Sequence, residues 1–369
     1  MGWWGGCVLP DRRAARQAGL RTALAGEGLD GLLVTHLPNI RYLTGFTGSA
    51  ALLLVRPDEA VLVTDFRYAT QAPREVGESA RVEIDAASVW QRLLKQLQDR
   101  PLDTLGVESQ SLTIRDAERL SGAVKGRVVP TTEMVERLRA AKDPQEVQAI
   151  RCAAALAQDA LAEIIPGVGV GRSEREIAAD LESALRRRGS EWHPFPTIVA
   201  SGPRSALPHA RTSARVIEPG DWLLLDFGAQ VDGYCADLTR TVVVGRRADE
   251  RQKAVYELVS LAQRRALEHL RPGMTGREGD ALARTVIAER GFGDAFGHSL
   301  GHGLGLEVHE APRVAATAET PIPTHAVVTV EPGIYLPGWG GVRLEDDVYL
   351  GPDGPECLSD NRTELVELV

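Results

Sequence analysis

The chain has 369 residues, of which 43% are hydrophobic and 25% charged, and its formal net charge is −9. This length favours two domains over one, and the composition is typical of a globular protein rather than a disordered one. The negative charge argues against general binding to nucleic acids, which needs a basic face to neutralise phosphates.

The cysteines and the start of the chain bear on its compartment. Cys7, Cys152, Cys235 and Cys357 are far apart and form no CxxC pair. This favours a reducing environment over a disulfide framework or a thiolate metal site. The start, MGWWGGCVLPDRR, lacks the charged region and long apolar run of a signal peptide, and no apolar run predicts a membrane span. We therefore expect a soluble cytoplasmic protein.

The first part of the sequence predicts a small α/β unit. A helical stretch near residues 12–27 precedes the strand-like run LDGLLVTH. Two further apolar runs, AALLLV and AVLVTD, flank a turn at residues 56–58, and an amphipathic helix at Trp90–Leu97 precedes the short strand DTLGVE. Alternating strands and helices favour an α/β layer.

A helix start near Asp143 marks the predicted domain boundary. The segment Asp143-Pro144-Gln145-Glu146 combines an acidic N-cap, proline at the first helical position and glutamate three residues after the cap. Apolar residues then recur at helical spacing on one face. We place the junction at about residue 140, which predicts one domain over residues 1–140 and a second over residues 141–369.

The second part contains a weak internal repeat. Ser173 and Glu176 form a predicted capping box, and Thr275 and Glu278 repeat it about a hundred residues later. Each box follows a helix that ends in Pro-Gly, and each helix pair precedes strand-rich sequence. The repeat predicts two related halves with helices outside and strands inside, although chance similarity of two Pro-Gly helix ends is the alternative.

Between the two halves, the sequence predicts a hairpin with one carboxylate on each arm. The runs WLLLDFGAQ and GYCADLTRTVVV flank Asp232-Gly233, a strong turn signal. Asp226 and Asp237 lie on opposite arms, so their side chains converge if they face the same side. Each lies in a run suited to burial, and a buried carboxylate is costly without a partner charge or a metal. Both are therefore candidate metal ligands.

Three more candidate ligands follow along the chain. His302 lies in FGHSLGHGLG, whose glycines allow close approach of the backbone at a crowded site. Glu331 ends the apolar run AVVTV, and Glu345 follows the apolar residues of GVRL. Carboxylates with an imidazole suit a pair of divalent cations, a recurring device for activating water against amides and phosphates. The set predicts two-metal hydrolysis.

Other interpretations of these motifs fit less well. The DFG at residues 226–228 also occurs in protein kinases, but the chain has no glycine-rich phosphate loop and no HRD-type catalytic loop. His309-Glu310 does not form the HExxH of a zinc helix, because Ala311 and Pro312 follow it. A solvated glycine-rich loop with incidental histidines is the alternative for the segment around His302.

These motifs and their flanks resemble the pita-bread metallopeptidases, the group of methionine aminopeptidase, aminopeptidase P and prolidase. The resemblance covers almost the whole chain, including LDGLLVTHLPNIRYLTGFTGSA and the linker RAAKDPQEVQAIR. It is strongest to the Xaa-Pro members, because methionine aminopeptidases generally lack the small first domain. It implies an α/β fold with a creatinase-like N-terminal domain and a C-terminal pita-bread domain that contains a pseudo-twofold repeat.

The resemblance also implies a role for each ligand. Asp237 and Glu345 would bridge two divalent metal ions. Asp226 would bind one of these ions, and His302 and Glu331 would bind the other. Family members use Mn²⁺, Co²⁺ or Zn²⁺, and Mn²⁺ is the expected metal here. The paired ions would lower the pKa of a bridging water and supply hydroxide at neutral pH.

Four further residues match supporting positions of the Xaa-Pro branch: His209, His298, His309 and Arg343. His309 and His209 would donate hydrogen bonds to the scissile carbonyl, and Glu331 would move a proton from water to the leaving prolyl nitrogen. His298 and Arg343 are expected to bind substrate. Arg343 could pair with acidic ligands or with a substrate carboxylate, and a structural salt bridge is its alternative role.

We therefore predict a metal-dependent peptidase of the aminopeptidase P type, which releases the N-terminal residue from Xaa-Pro peptides. An Xaa-Pro dipeptidase (prolidase) is the alternative within the same chemistry. A catalytically inactive pita-bread binding module is the alternative from another class. Trp192, Phe195 and Tyr335 are candidate walls for the proline ring or ordinary core residues. The expected partners are a proline-containing peptide and a second copy of the chain in a homodimer.

Overall fold

The computed structural model describes residues 11–359 and 364–369. The chain divides into two compact units, the first ending at Arg139 and the second running from Ala140 to Val369. The junction predicted from the helix start lies beside this division. The N-terminal MGWWGGC segment, whose role the sequence leaves open, lies outside the described residues. Among the helices that the structure describes, none is both long enough and apolar enough to cross a bilayer.

The first unit is a mixed sheet with helices, as the alternating pattern predicts. Its strands, β1 to β6, are Gly31–Val34, Ala51–Val55, Ala60–Asp65, Arg81–Asp85, Thr104–Glu108 and Arg127–Thr131. Its helices, α1 to α6, are Arg13–Gly26, Leu37–Thr44, Gln71–Val76, Val89–Asp99, Ile114–Ser121 and Glu136–Arg139. The strand order is β4-β3-β2-β1-β5-β6, with β1 antiparallel to β2 and parallel to β5.

Three of the four described helices of the second unit begin where the capping signals place them. They are α7 to α10: Pro144–Ile164, Glu174–Arg188, Glu250–His269 and Gly276–Glu289. The N-cap at Asp143 and the capping boxes that start at Ser173 and Thr275 are confirmed. A further capping box, formed by Asp249 and Gln252, starts α9. In each box the side chains satisfy backbone N–H groups that the first helical turn leaves unpaired.

The strands of the second unit form two larger sheets and one pair. Strands β7 to β17 are Ile198–Ser201, Asp221–Val231, Tyr234–Val244, Gly301–Gly303, Glu310–Val314, Ala326–Val330, Gly333–Leu336, Gly340–Arg343, Asp346–Gly351, Gly354–Cys357 and Glu367–Leu368. One sheet has the order β17-β9-β8-β7, another has the order β11-β10-β12-β15-β16, and β13 pairs with β14. Short 3-10 helices connect other elements: Phe66–Tyr68, Gly77–Ser79, Ile165–Gly167, Gly202–Ala206 and Gly293–Ala295.

Each helix pair of the second unit packs on its own sheet. Ala157 of α7 and Leu181 of α8 share a buried cluster with Phe227 of β8. Val259 of α9 and Ile287 of α10 share another cluster with strand residues that include Val328 of β12. This is the arrangement that the internal repeat predicts, and it leaves the other faces of the strands available for polar side chains.

Candidate metal centre

The hairpin of β8 and β9 puts two acidic side chains on one face. Its turn residues, Asp232 and Gly233, have φ of 49° and 78°, as a type I′ turn requires. The register pairs Asp226 with Thr239 and places Asp237 opposite Gly228. Opposed residues share a face, and so do residues two apart on a strand. Asp226 and Asp237 therefore face the same side of the hairpin. This is the condition under which the sequence predicts that their side chains converge.

The other predicted ligands come from the second half of the unit. His302 is the central residue of β10, Glu331 directly follows β12, and Glu345 lies between β14 and β15. The backbone N–H of Glu345 donates to the carbonyl of Thr239 with an N–O distance of 3.1 Å. This contact joins the segment that carries Glu345 to the hairpin of the first half.

The structure brings the predicted ligands together. His302 Nε2 lies 3.4 Å from Glu331 Oε1 and 3.8 Å from Asp237 Oδ2. Ligand atoms of Asp237, His302 and Glu345 all lie within 4.8 Å of one another. Asp226 is close enough to raise the pKa of both Asp237 and Glu345 by repulsion. Residues from both halves therefore form one cluster.

The carboxylates of this cluster repel one another in a buried setting. Burial, followed by the charge of Glu345, raises the pKa of Asp237 well above its usual value. Burial, followed by the charge of Glu331, does the same to the pKa of Glu345. Burial raises the pKa of Glu331 to about 8 and also raises that of Asp226, which Arg343 partly opposes. Such groups cannot all be ionised together without added positive charge.

The donor set fits divalent cations. Among the described residues, Asp237 Oδ1 is buried and has no hydrogen-bond partner, a costly state for a carboxylate oxygen unless a cation binds it. His302 Nδ1 lies 3.1 Å from the carbonyl oxygen of Gly303. A carbonyl only accepts, so Nδ1 carries the proton and Nε2 offers a lone pair toward the carboxylates. Burial lowers the pKa of His302 to about 4, so the ring is neutral and able to ligate a metal at neutral pH.

Arg343 connects Asp226 to two neutral side chains. Its buried guanidinium forms an ion pair with Asp226 and donates to Tyr335 Oη at 2.8 Å and to Thr239 Oγ1 at 3.0 Å. The structure therefore places Arg343 against an acidic ligand, which is one of the interpretations left open by the sequence. Its assignment as a substrate-binding residue stays a prediction.

His298 continues the hydrogen-bond chain that begins at Arg343. His298 Nε2 lies 2.8 Å from Tyr335 Oη, and its Nδ1 lies 2.8 Å from the carbonyl oxygen of Ser299. Nδ1 is therefore the protonated nitrogen, and Nε2 accepts the proton of the tyrosine hydroxyl. Burial, then Arg343, lowers the pKa of His298 to about 4, and burial raises that of Tyr335 to about 12. Tyr335 thus belongs to a polar network, and substrate binding by His298 stays a prediction.

The two remaining predicted histidines lie beside the cluster. The ring of His309 is 4.2 Å from that of His302, centroid to centroid, with an interplanar angle of 61°. Burial, followed by the charge of His209, lowers the pKa of His309. Both His209 and His309 stabilise the charged form of Asp226, which lowers its pKa against the effect of burial. Their position suits hydrogen-bond donation to a substrate, but their catalytic roles stay predictions.

Trp192 lies in a different setting from the ligands. Its side chain is 55% exposed and stacks on the ring of His193. Both residues line a cavity of about 570 Å³ with Arg186 and other residues of α8, and no predicted ligand lines that cavity. Trp192 is therefore a poor candidate for a wall of the proline pocket.

Sequence reasoning missed two buried threonines that contact predicted ligands. Thr239 Oγ1 donates to Glu345 Oε2 at 2.6 Å, and Thr329 Oγ1 donates to Glu331 Oε1 at 3.2 Å. Thr239 lies two residues after Asp237, and Thr329 lies two residues before Glu331. The two-residue period of a strand puts such neighbours on the same face, so this spacing was a signal that could have found them.

Comparison with known proteins gives consistent matches over nearly the whole chain. Residues 148–352 match the family model described as metallopeptidase family M24, and residues 16–141 match that of the creatinase/prolidase N-terminal domain. The Xaa-Pro dipeptidase of Pyrococcus horikoshii is 38% identical over 343 residues, which cover 92% of this chain and 95% of that protein.

Solved structures agree with these sequence matches. An Xaa-Pro dipeptidase from Bacillus anthracis has a TM-score of 0.93 and 40% identity, with 96% of this chain and 100% of that chain covered. An X-Pro aminopeptidase from Thermotoga maritima MSB8 has a TM-score of 0.87 and 38% identity, with 92% and 98% covered. One of these neighbours is named a dipeptidase and the other an aminopeptidase.

Proposed function

Because this chain belongs to metallopeptidase family M24 and carries a creatinase/prolidase N-terminal domain, we propose that it is an Xaa-Pro dipeptidase. Membership of this family identifies the chain as a hydrolase. The matches also confirm the predicted α/β fold with its creatinase-like and pita-bread domains. Those relatives and structural neighbours whose names give a specific activity are mainly Xaa-Pro dipeptidases or prolidases. They support the prolidase alternative better than the aminopeptidase P type, which the sequence analysis put first.

The main support for a metal-dependent reaction is Asp237 Oδ1, a buried oxygen of the carboxylate cluster that has no hydrogen-bond partner among the described residues. The proposed ligands are Asp226, Asp237, His302, Glu331 and Glu345. When bound there, two divalent ions, which we propose to be Mn²⁺, would polarise the scissile carbonyl and lower the pKa of the attacking water. The oxygen-rich donor set supports this choice of metal.

Glu331 is the proposed proton carrier. Burial raises its pKa to about 8 while the cluster holds no cation, and bound cations would favour the ionised carboxylate that accepts a proton from water. We infer that the Glu331 carboxylate takes a proton from the attacking water as the new C–O bond forms. It then delivers that proton to the prolyl nitrogen as the C–N bond breaks. The products are the free amino acid and proline.

The neighbouring side chains would orient the substrate and hold the ligands. His309 has a lowered pKa, so its neutral ring would donate one N–H to the carbonyl oxygen as negative charge develops there. His209 is the second proposed donor. Arg343 opposes the effect of burial on the pKa of Asp226 and thereby favours the ionised carboxylate that a metal requires.

A side-by-side assay of an Xaa-Pro dipeptide and an Xaa-Pro-Yaa tripeptide with added Mn²⁺ tests this proposal. We expect cleavage of the dipeptide and little cleavage of the tripeptide. An Xaa-Ala dipeptide is the matched control for proline specificity. Cleavage of the tripeptide would favour the aminopeptidase P type, which the Thermotoga maritima neighbour supports. Failure to cleave either peptide would favour the binding module, and full activity after metal removal would exclude the proposed mechanism.

We also propose a cytoplasmic location and a homodimer. Within the described part of the chain, Cys152, Cys235 and Cys357 are free thiols, which supports a reducing compartment. The homodimer rests on the family resemblance, and light scattering on the purified protein tests it directly.

A further inference from the structure

Two threonine hydroxyls lie inside the proposed metal centre without a role in the mechanism above. Thr239 in β9 and Thr329 in β12 are both 0% exposed. Thr239 Oγ1 lies 2.6 Å from Glu345 Oε2, and Thr329 Oγ1 lies 3.2 Å from Glu331 Oε1. Each hydroxyl therefore contacts one proposed glutamate ligand.

The direction of the Thr239 hydrogen bond follows from its other neighbour. Arg343 Nε lies 3.0 Å from Thr239 Oγ1. A guanidinium group has donors and no acceptor, so the threonine oxygen must accept from it. The single proton of the hydroxyl is then directed to Glu345 Oε2. Because Arg343 also forms the ion pair with Asp226, Thr239 links the two ligands Asp226 and Glu345 through one oriented chain.

The hydroxyl of Thr329 also accepts one hydrogen bond and donates another, but its donor is a backbone N–H. The N–H of His302 donates to Thr329 Oγ1 at an N–O distance of 3.1 Å, so the threonine proton is directed to Glu331 Oε1. A Cβ at Gly301 would lie 1.9 Å from the Thr329 carbonyl oxygen, so the absence of a side chain there permits the close approach of β10. Thr329 thus links two ligands, His302 and Glu331.

We propose that Thr239 and Thr329 are positioning residues that set the metal affinity of the centre. Each hydroxyl occupies one lone pair of a glutamate oxygen and restricts rotation of that carboxylate about its last side-chain bond. The remaining lone pairs are then held in fixed directions for metal. This inference rests on the metal-dependent function proposed above. Groups that orient metal ligands typically change metal affinity or activity about 10–100-fold when they are removed.

Thr241 provides a matched control on the same strand. It lies two residues after Thr239, on the same face of β9, and is 2% exposed. Its hydroxyl donates to the backbone carbonyl of Arg343 at 2.8 Å and accepts from the backbone N–H of the same residue at 3.2 Å. Thr241→Val therefore removes a buried hydroxyl of the same kind without removing a contact to a carboxylate ligand.

Titration calorimetry of the metal-free protein with Mn²⁺, without peptide, tests the inference. We expect Thr239→Val and Thr329→Val each to weaken Mn²⁺ binding about 10–100-fold. Thr239→Ser and Thr329→Ser keep the hydroxyl and should bind within a few-fold of the wild type. Thr241→Val should also bind like the wild type, even where it lowers the thermal midpoint of the metal-free protein. The two threonines lie on different strands. If the valine variant at one of them fails to fold, the variant at the other still tests the inference.

Wild-type Mn²⁺ affinity in both valine variants would overturn the inference and leave the proposed function intact. An equal loss of affinity in Thr241→Val would also overturn it, since buried hydroxyls in general would then matter. A wild-type protein that binds no divalent ion would overturn the inference and the proposed function together. Separate measurement of dipeptide cleavage by the wild type distinguishes these cases.

Discussion

At the scale of single residues, Glu331 has two proposed roles at this centre. It follows directly on the end of β12, contacts the His302 ring nitrogen at 3.4 Å and accepts from Thr329. Burial holds its pKa near 8, far from that of an exposed glutamate. The same group is thus a proposed ligand and the proposed proton carrier, so a change that keeps its shape but removes its charge is informative.

Glu331→Gln is expected to abolish turnover of an Xaa-Pro dipeptide while the protein stays folded. The amide cannot carry the proton, and general acid–base catalysis alone typically contributes about 10²–10⁴-fold to the rate. Steady-state kinetics with circular dichroism measures both effects. Glu218→Gln, at an exposed loop position, is the control and should leave kcat unchanged. Near-normal kcat in Glu331→Gln would contradict the proposed role.

Among secondary-structure elements, a buried ion pair connects the start of α7 to β11. Lys142, just before the N-cap of α7, lies 2.6 Å from Glu310, the first residue of β11, and their side chains are 0% and 5% exposed. His309 is the residue before Glu310, so this pair anchors the segment that carries a proposed catalytic histidine. Removing one partner of such a pair leaves the other charge buried without compensation.

Lys142→Met should therefore destabilise the protein by about 3–5 kcal/mol. Urea unfolding measures the change, and the double variant Lys142→Met/Glu310→Gln should recover part of it because the uncompensated charge is gone. Arg151→Met breaks an ion pair with Glu356 whose side chains are 39% and 52% exposed, and it should cost about 1 kcal/mol or less. Equal losses for the two single variants would contradict the argument.

The start of α8 depends on a second buried carboxylate. Glu174 is 0% exposed and accepts from the backbone N–H groups of Ser201 and Ser213 at 2.8 Å and 2.9 Å. Burial by itself raises the pKa of Glu174, but hydrogen bonds from Ser213 and Ser201 outweigh it and leave the pKa below 4.5. This group joins the helix to β7 and to the loop that follows.

The stability that Glu174 contributes should be lost in acid. Its pKa is lower in the folded state than the unfolded value of 4.5, so the unfolded state binds the proton more readily. The contribution is complete above the unfolded pKa and falls as pH drops through the folded pKa. Urea unfolding between about pH 7 and pH 3 measures the free energy of unfolding of the wild type and of Glu174→Gln. The difference between the two should shrink below about pH 4.5. Glu257→Gln, at an exposed position on α9, should show no such convergence.

For the whole molecule, metal binding should be coupled to stability. The carboxylate cluster joins two halves of the second unit, and its repulsion is present in the folded protein when no cation is bound. A ligand that binds the folded state stabilises it by about 2.7 kcal/mol at a hundred times its Kd. The metal-free protein should therefore unfold at a lower temperature than the metal-loaded one.

Thermal unfolding with and without Mn²⁺ measures this coupling. We expect a clear rise in Tm for the wild type and little or no rise for His302→Ala, which removes a proposed imidazole ligand. His269→Ala, at an exposed position at the end of α9, should respond to Mn²⁺ like the wild type. The absence of any shift in the wild type would count against a metal centre in this cluster.

Local sequence signals were sufficient for the boundaries of many elements. The capping boxes at Ser173 and Thr275, the N-cap at Asp143 and the turn at Asp232-Gly233 all appear in the structure where the sequence predicts them. Each depends on hydrogen bonds or φ angles within a few residues, so the chain encodes it without reference to the rest of the fold.

The sequence also predicts the residues that the structure gathers into one cluster, because a carboxylate in an apolar strand is costly to bury without a partner charge or a metal. Their partners were decided only by the tertiary structure. The ion pair of Arg343 with Asp226, the contact of Thr239 with Glu345 and the placement of Tyr335 in a polar chain all join residues that different strands bring together. Such contacts depend on which side chains are buried against one another, and burial sets both their charge state and their hydrogen-bond direction.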